Sequence, residues 1–589
     1  MAFIKVPSWF DVLQLGFRQT LLKKAPIAHE SHEQSFWKEQ ALRFGFDIRA
    51  ADSPWRSFFF EKFFQYTLRR IGNSLQNLKN WEKSFWKRNG RFVERLELSS
   101  ISSQDLKTVI HWFPNLKWLT LNKCRSLLQA NSSQEAAIDL SELSELCTLQ
   151  ITDAHFLSAK AFNSIPEHIQ TLIIDSARGF SSDFFDKLSL LCLESLVIQN
   201  CQGLEQHFLR NLPKTLKTLD LSGSGKTLTN EVLLYLPSGL ETLKLNKWDH
   251  FGDKELEFLP VQVRHLEVEG WDISPSGLQQ LEQLPLESLS LAASLSDPSG
   301  AGLIFLPRTL KKLDLSQNCL TSEALSWLDV LESLEELSIA HAAAFDSKFD
   351  DEPITFAAKL KVLDLSYAGP FHKKTVQRLK QLKMLKCLSL AGCSIENHDL
   401  EFLPDELEEL DLCLSTNLTD VALSVLKGLI KLTSLELEGC EQIRGFGLSH
   451  LSTHLRKLSL AGCNRLSGKS LISLPENLEE LTLDCCELVT ANDIKSLPAT
   501  LQVLSLAYCP HIGNEAIDYI SGLPLLNTLT LTGCDKVCDL AISKLVRRKF
   551  EGTIVITSDI ELHPPASMLK KLTNFKARLI HKLKSQALR

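Results

Sequence analysis

No apolar run in these 589 residues approaches 18, so no membrane-crossing helix is expected. The opening stretch, Met1-Ala2-Phe3-Ile4-Lys5-Val6-Pro7-Ser8-Trp9, lacks the apolar core of a secretory leader. A cytoplasmic setting is the expectation. Phosphate-loop, nucleophile-elbow and zinc-protease patterns are missing, and the sixteen histidines are scattered without pairing. The fifteen cysteines never form Cys-x-x-Cys. Cys509-Pro510-His511, Cys485-Cys486 and Cys534 with Cys538 therefore lack structural-zinc spacing. Their odd number and regular placement read as reduced, buried thiols. No metal, cofactor or catalytic residue is expected, and the chain does not read as an enzyme. Asn131-Ser132-Ser133 and Asn417-Leu418-Thr419 match the glycosylation triplet, but without a leader they read as accidental.

Charge of one sign is unevenly spread. Residues 1–90 hold fifteen Lys and Arg against eight Asp and Glu, and residues 545–589 hold ten against three. Each end is about +7, which leaves about −21 for the body between them. An acidic body argues against nucleic acid, which a basic stripe would track.

What the sequence has in abundance is a Leu-x-Leu core recurring about every 23–25 residues, from Leu96-Glu97-Leu98 to Ile554-Val555-Ile556. The second core residue falls at Leu98, Leu121, Ile151, Ile174, Ile198, Leu221 and onward to Leu506, Leu531 and Ile556, giving about 20 units. Period 2 over the core predicts a half-buried strand. Apolar residues at helical spacing follow, as in Leu418 to Leu426, where Thr419 or Asp420 can cap the helix. Many units then end in Leu-Pro, for example Leu212-Pro213, Leu403-Pro404 and Leu474-Pro475, which stops a helix. The polar stretch from Gln129 to Glu135 sits in the one long step and reads as a loop.

Eight cysteines (Cys124, Cys201, Cys393, Cys440, Cys463, Cys486, Cys509 and Cys534) stand three places after the second core residue. A small buried residue with a weak S–H donor suits that turn. The pattern resembles the cysteine-containing leucine-rich repeats over residues 91 to about 558. The resemblance implies a right-handed α/β solenoid, a horseshoe with a parallel sheet inside and helices outside. A helical N-terminal domain is expected at 1–90 and a basic tail at 559–589.

The N-terminal block is aromatic, with Trp9, Trp37, Trp55, Trp81 and Trp86 beside Phe58-Phe59-Phe60 and Phe63-Phe64. Four helices are expected: around Trp9 to Leu21, His32 to Arg43, Trp55 to Ile71 and Gly72 to Arg88. Phe36-Trp37-Lys38, Arg43-Phe44-Gly45-Phe46 and Trp55-Arg56-Ser57-Phe58-Phe59 resemble the tail of F-box proteins, with Val6-Pro7-Ser8-Trp9-Phe10 where an F-box begins. The acidic residue after that Pro and the apolar-Cys-Arg-x-Trp segment are missing. The resemblance implies a Skp-type adaptor of a cullin ubiquitin ligase as partner, held by Pro7, Trp9, Phe10, Leu13, Phe36 and Trp37. The other reading of the block is a cap over the first repeat's apolar edge. Leu403-Pro404-Asp405-Glu406-Leu407-Glu408-Glu409-Leu410-Asp411-Leu412 also resembles repeats of host-directed bacterial effectors. Their Cys-x-Asp ligase motif is not found here.

Outward strand positions are the expected protein-binding surface. Aromatic and His candidates are Trp118, Trp248, His265, Trp271, His341, Tyr367 and Tyr508, since large rings anchor interfaces. Trp248 and Trp271 occupy the cysteine position, where packing in a widened turn is the alternative. Asp220, Glu267, Asp314, Asp364, Asp411, Glu436, Glu438 and Asp484 would make the arc negative and favour a basic partner. In the tail, Met568, Leu572, Phe575, Leu579 and Leu583 fall at helical steps among Lys570, Lys571, Lys576, Arg578, Lys582, Lys584 and Arg589. Such a segment suits an anionic membrane, a helix-binding groove, or a cap on the last repeat. The expected function is protein binding, most specifically as an F-box-like substrate receptor. The alternative is a stand-alone protein, such as a bacterial effector in host cytosol, that sequesters a partner, with membrane contact through the tail.

Overall fold

The computed structural model describes residues 55–124, 140–154, 157, 165–180, 182–228, 230–248, 250–342, 354–371, 373–538, 540–542, 545 and 553–555. Its 20-stranded sheet begins with β1 (Arg95–Ser99) and β2 (Trp118–Asn122) and ends at Thr553–Val555. Neighbouring strands pair in parallel in chain order. The expected register is the observed one: Leu96 and Leu98 lie beside Leu119 and Leu121, and Leu529 lies beside Ile554. Core residues such as Leu313 and Leu315 are buried, while Lys312 is exposed. The buried side chains form one continuous apolar body from Phe58 to Leu545.

The convex segments differ from the expected helix in each unit. Some are short α-helices, such as Asp420–Val425 and Asn514–Ile520. Others are 3₁₀ turns, such as Gln206–Asn211, Ala301–Phe305, Asn397–Phe402 and Gly468–Ser473. The Leu-Pro pair explains the shortening. Leu212, Leu306, Leu403 and Leu474 are extended C-caps, because the following proline disfavours helical backbone. Five or six residues then leave little room for i→i+4 bonding. Thr419 is the N-cap that the sequence offered, and its side chain accepts from Val421 N–H. Asp420 instead accepts from Arg444 N–H (3.2 Å) and Gly445 N–H (2.7 Å) in the next unit.

Of the four expected N-terminal helices, the third is α1 (Trp55–Ile71). The fourth starts late, at α2 (Asn80–Asn89), because Gly72 and Asn73 are left-handed and Leu75–Asn77 forms a 3₁₀ turn. The first two lie outside the described residues, as do the Gln129–Glu135 loop and the basic tail. Phe64 packs edge-on against Trp86 (4.8 Å) and Phe113 (4.6 Å), joining α1 and α2 to the first repeat.

A carboxylate completes that junction. Within the sheet, Lys117 and Trp118 N–H both donate to Glu94 C=O. Among the described residues no strand precedes β1 to supply such a carbonyl. Glu61 of α1 takes its place: one carboxylate oxygen accepts from Arg95 N–H (2.9 Å) and Glu94 N–H (3.3 Å). Gln65 adds a donor to Glu97 C=O at 2.6 Å. The exposed edge of the sheet is thereby covered, as an edge strand requires. Burial pushes the Glu61 carboxyl up to about 7, against the lowering effect of the two amides.

Candidate partner-binding face

The inner face is organised as rows, each formed by one register position repeated from strand to strand. Four residues before the second core Leu, charges alternate in sign. Glu194 pairs with Lys217 (3.2 Å), Arg264 with Glu287 (2.8 Å), Lys311 with Glu287 (2.6 Å) and Lys361 with Glu335 (2.7 Å). Lys386 pairs with Glu408 (2.7 Å), and Arg456 with Glu479. Exposed pairs of this kind contribute about 0–1 kcal/mol each. They order the row and leave it close to neutral.

The acidic row lies one residue before the second core Leu. Asp220, Asp314, Asp364 and Asp411 each accept the amide two residues on, from Ser222, Ser316, Ser366 and Cys413, at 2.9–3.0 Å. Neighbouring strands add side-chain donors: Gln199 to Asp220 (2.7 Å), Ser290 to Asp314 (3.1 Å), Ser338 to Asp364 (3.3 Å) and Ser389 to Asp411 (2.8 Å). These carboxylates therefore fasten the strand ends as well as facing the cleft. Asp220 is buried, which the sequence did not reveal. Glu267 pairs with Lys244 at 2.6 Å, and His265 beside it is exposed. Asp484 accepts from Ser505 Oγ (2.6 Å) and Ala507 N–H (2.7 Å). Trp118 is half-buried under the Arg95 guanidinium, 4.0 Å from its ring.

Negative charge remains concentrated in one stretch. Glu409, Asp411, Glu436, Glu438, Glu480 and Asp484 lie on or just after four successive strands, with Arg456 and Lys457 as the opposing cations. Burial, with Asp411 and Glu438 nearby, raises the Glu436 carboxyl above the usual range. A shallow depression of about 330 Å³ lies here, lined by Glu409, Glu436, Lys457, Ser459 and Glu480 among others.

Two residues past the second core Leu, the backbone is left-handed in repeat after repeat. Glycine fills this position at Gly392, Gly439, Gly462 and Gly533, but His341, Tyr367, Leu414, Cys485 and Tyr508 also adopt it. This turn throws their side chains sideways along the rim. His341 stacks on Tyr367, centroids 4.5 Å apart and planes 9° apart. A Cβ on Gly392 would meet the Tyr367 ring at 2.6 Å. Leu414 and Tyr508 stay about half exposed. Leu414 went unnoticed in the sequence because leucine looks like core everywhere in this chain.

The cysteine position carries the largest correction. Trp248 and Trp271, counted among the surface anchors, are buried, 2% and 3% exposed. Their indole N–H groups donate to Leu221 C=O (3.1 Å) and Leu245 C=O (3.0 Å) of the preceding units. The cysteines do the same: Cys393 to Leu365 (2.9 Å), Cys463 to Leu437 (3.3 Å) and Cys509 to Leu483 (3.0 Å). Ser224 donates to Ile198 (2.8 Å), Ser294 to Val268 (2.7 Å) and Asn318 to Leu291 (2.8 Å). Four residue types thus supply one donor to one carbonyl. Several also accept in return, as Ser224 does from Cys201 N–H (2.9 Å). Burial raises the thiols, Cys201 and Cys440 to about 11 and Cys463 and Cys509 to about 12. They remain protonated donors. A list of this register position alone would have shown the shared hydrogen-bond chemistry.

The adaptor candidates Pro7, Trp9, Phe10, Leu13, Phe36 and Trp37 and the tail cations Lys570, Lys571, Lys576, Arg578 and Lys582 lie outside the described residues. Among the described residues, no group of three or more His, Cys, Asp or Glu is placed to hold a metal, and no helix is long and apolar enough to cross a membrane.

A leucine-rich repeat family model matches residues 307–326 and 451–474. No curated protein matches the sequence. Similar solved structures include the yeast Rad7 and Elc1 complex, at 21% identity, covering 52% of this chain and 84% of that one, with a TM-score of 0.38. The mouse RP105/MD-1 complex is 17% identical, covers 79% of each chain and has a TM-score of 0.42. An internalin from Listeria monocytogenes is 16% identical, covers 72% and 89%, and has a TM-score of 0.30. The repeated parallel strand, the buried Leu-x-Leu register and the family match together make the fold an α/β leucine-rich repeat solenoid.

Proposed function

We propose that this chain is a protein-binding scaffold and that its inner face holds the partner. One observation carries the reading: an open sheet face presents outward side chains in continuous rows, charged on one side and small or aromatic on the other. Such a surface suits an extended protein contact better than an enclosed small molecule.

The specific form proposed is an F-box-like substrate receptor, with residues 1–54 engaging a Skp-type adaptor and the arc presenting a target. Catalysis would then belong to other subunits. The alternative, a stand-alone protein that sequesters its partner, draws support from α1. Phe58, Phe59 and Phe64 there are buried and Glu61 accepts from the Glu94 and Arg95 amides, which supports a capping role for this helix. A pull-down with a Skp-type adaptor separates the two. Retention by the full chain that is lost on deleting residues 1–54 supports the receptor. No retention by the full chain leaves the stand-alone scaffold.

A further inference from the structure

We propose that the chain's own basic segment, residues 567–589, docks in cis on the inner face between Leu414 and Tyr508. The face there has two parallel components. Its acidic component is Glu409, Asp411, Glu436, Glu438, Glu480 and Asp484, opposed by Arg456 and Lys457. Its apolar component is the rim, where exposed Leu414 and Tyr508 flank Gly439, Gly462 and Cys485. Leu414 lies over Gly439, so Gly462 and the small Cys485 leave a shallow trough between Leu414 and Tyr508.

The tail is the complement of that face in charge and in pattern. Its apolar residues, Met568 to Leu583, recur at helical spacing among seven Lys and Arg with no acid. As a helix this apolar line is about 22 Å long. Leu414 and Tyr508 stand four strands apart, about 19 Å. The tether also reaches. Residues 556–567 extend to about 40 Å, and the last strand, Thr553–Val555, lies two to six strands from the trough, about 10–29 Å. Tethering at this range gives an effective concentration in the millimolar range, so modest contacts hold the segment in place.

The consequence rests on the scaffold reading: a partner must displace the tail, and a basic amphipathic partner competes best. The docking itself does not depend on any partner. Zero-length carbodiimide crosslinking of the full chain at low concentration, read by mass spectrometry, tests it. Crosslinks are expected from Lys570, Lys571, Lys576 or Lys582 to Glu409, Glu436, Glu438 or Glu480, within one molecule. They should be lost in 0.5 M salt, roughly where the screening length falls below 5 Å, and the Lys582 crosslinks, whose amine is untouched, should be lost in the triple variant Lys570→Glu, Lys571→Glu, Lys576→Glu. Hydrogen exchange at residues 409–413 and 434–438 should speed up in that variant. Crosslinks confined to the last repeat, crosslinks only between molecules, or unchanged exchange in the variant would each overturn the proposal. Crosslinks lost in the variant while the freed face still binds no protein would overturn the scaffold reading instead.

Discussion

Gly225 lies directly against the indole of Trp248, so that a Cβ on the glycine would clash with its Cδ2. The pair spans two repeats and fixes how a tryptophan fits where other units have cysteine. Gly225→Ala should cost about 2 kcal/mol through overpacking. With Trp248→Cys in place, the same substitution should cost far less. Urea unfolding of the four species in a double-mutant cycle measures the coupling. Additive effects would mean that the indole can move aside.

Glu61 makes the first repeat sensitive to pH. Its carboxyl is raised from 4.5 to about 7, chiefly by burial. The folded state then holds a proton that the unfolded state releases between those values. Stability is highest at the acid end and falls as pH rises through about 7, by up to about 3 kcal/mol if cap and solenoid unfold together. Glu61→Gln keeps an oxygen for Arg95 and Glu94 N–H and should flatten the profile. Glu61→Ala should remove about 2 kcal/mol by leaving two amides unpaired. Melting curves between pH 5 and 8 decide it; equal slopes for wild type and Glu61→Gln would refute the assignment.

The cysteine row should tolerate any compact donor. Cys463→Ser should stay within about 1 kcal/mol of wild type, whereas Cys463→Ala should lose about 1–2 kcal/mol. Thiol labelling of the native protein provides a second check. Exposed Cys192, Cys319, Cys485 and Cys538 should react, and buried Cys440, Cys463, Cys486 and Cys509 should not. Equal losses for Ser and Ala would show that the side chain merely fills space.

Leu414 sets stability against binding. It sits at φ 56°, a conformation that costs a non-glycine residue about 1 kcal/mol or more. Leu414→Gly should raise the unfolding midpoint, or at least leave it unchanged as lost packing offsets relieved strain. The same change should weaken any partner that uses the rim. A fall in stability together with full binding would contradict both parts.

The strand register was legible because Leu-x-Leu is both the repeat and the buried pair, as Leu313 and Leu315 show. Three features were not. Gly392, Gly439, Gly462 and Gly533 signal the turn, but its left-handed continuation through Tyr367 and Leu414 was hidden because those residues stand where glycine would be expected. Trp248 and Trp271 looked like anchors because size, not donor chemistry, drew attention. The capping role of Glu61 depends on a β1 edge 33–34 residues away, and no local pattern encodes it. The acidic positions follow from the register, but their cross-strand partners, such as Ser389 for Asp411, become neighbours only once the repeats are stacked.

The inter-repeat donor is missing twice in succession at two places, at Ala154 and Ala177 and again at Ala342 and Ala368. An alanine methyl cannot tie its turn to the carbonyl of the unit before. In a stack where each unit is held only by its neighbours, adjacent weak junctions form a tear line. Melting that starts at either end should pause at each line, so the arc should come apart as three blocks rather than one.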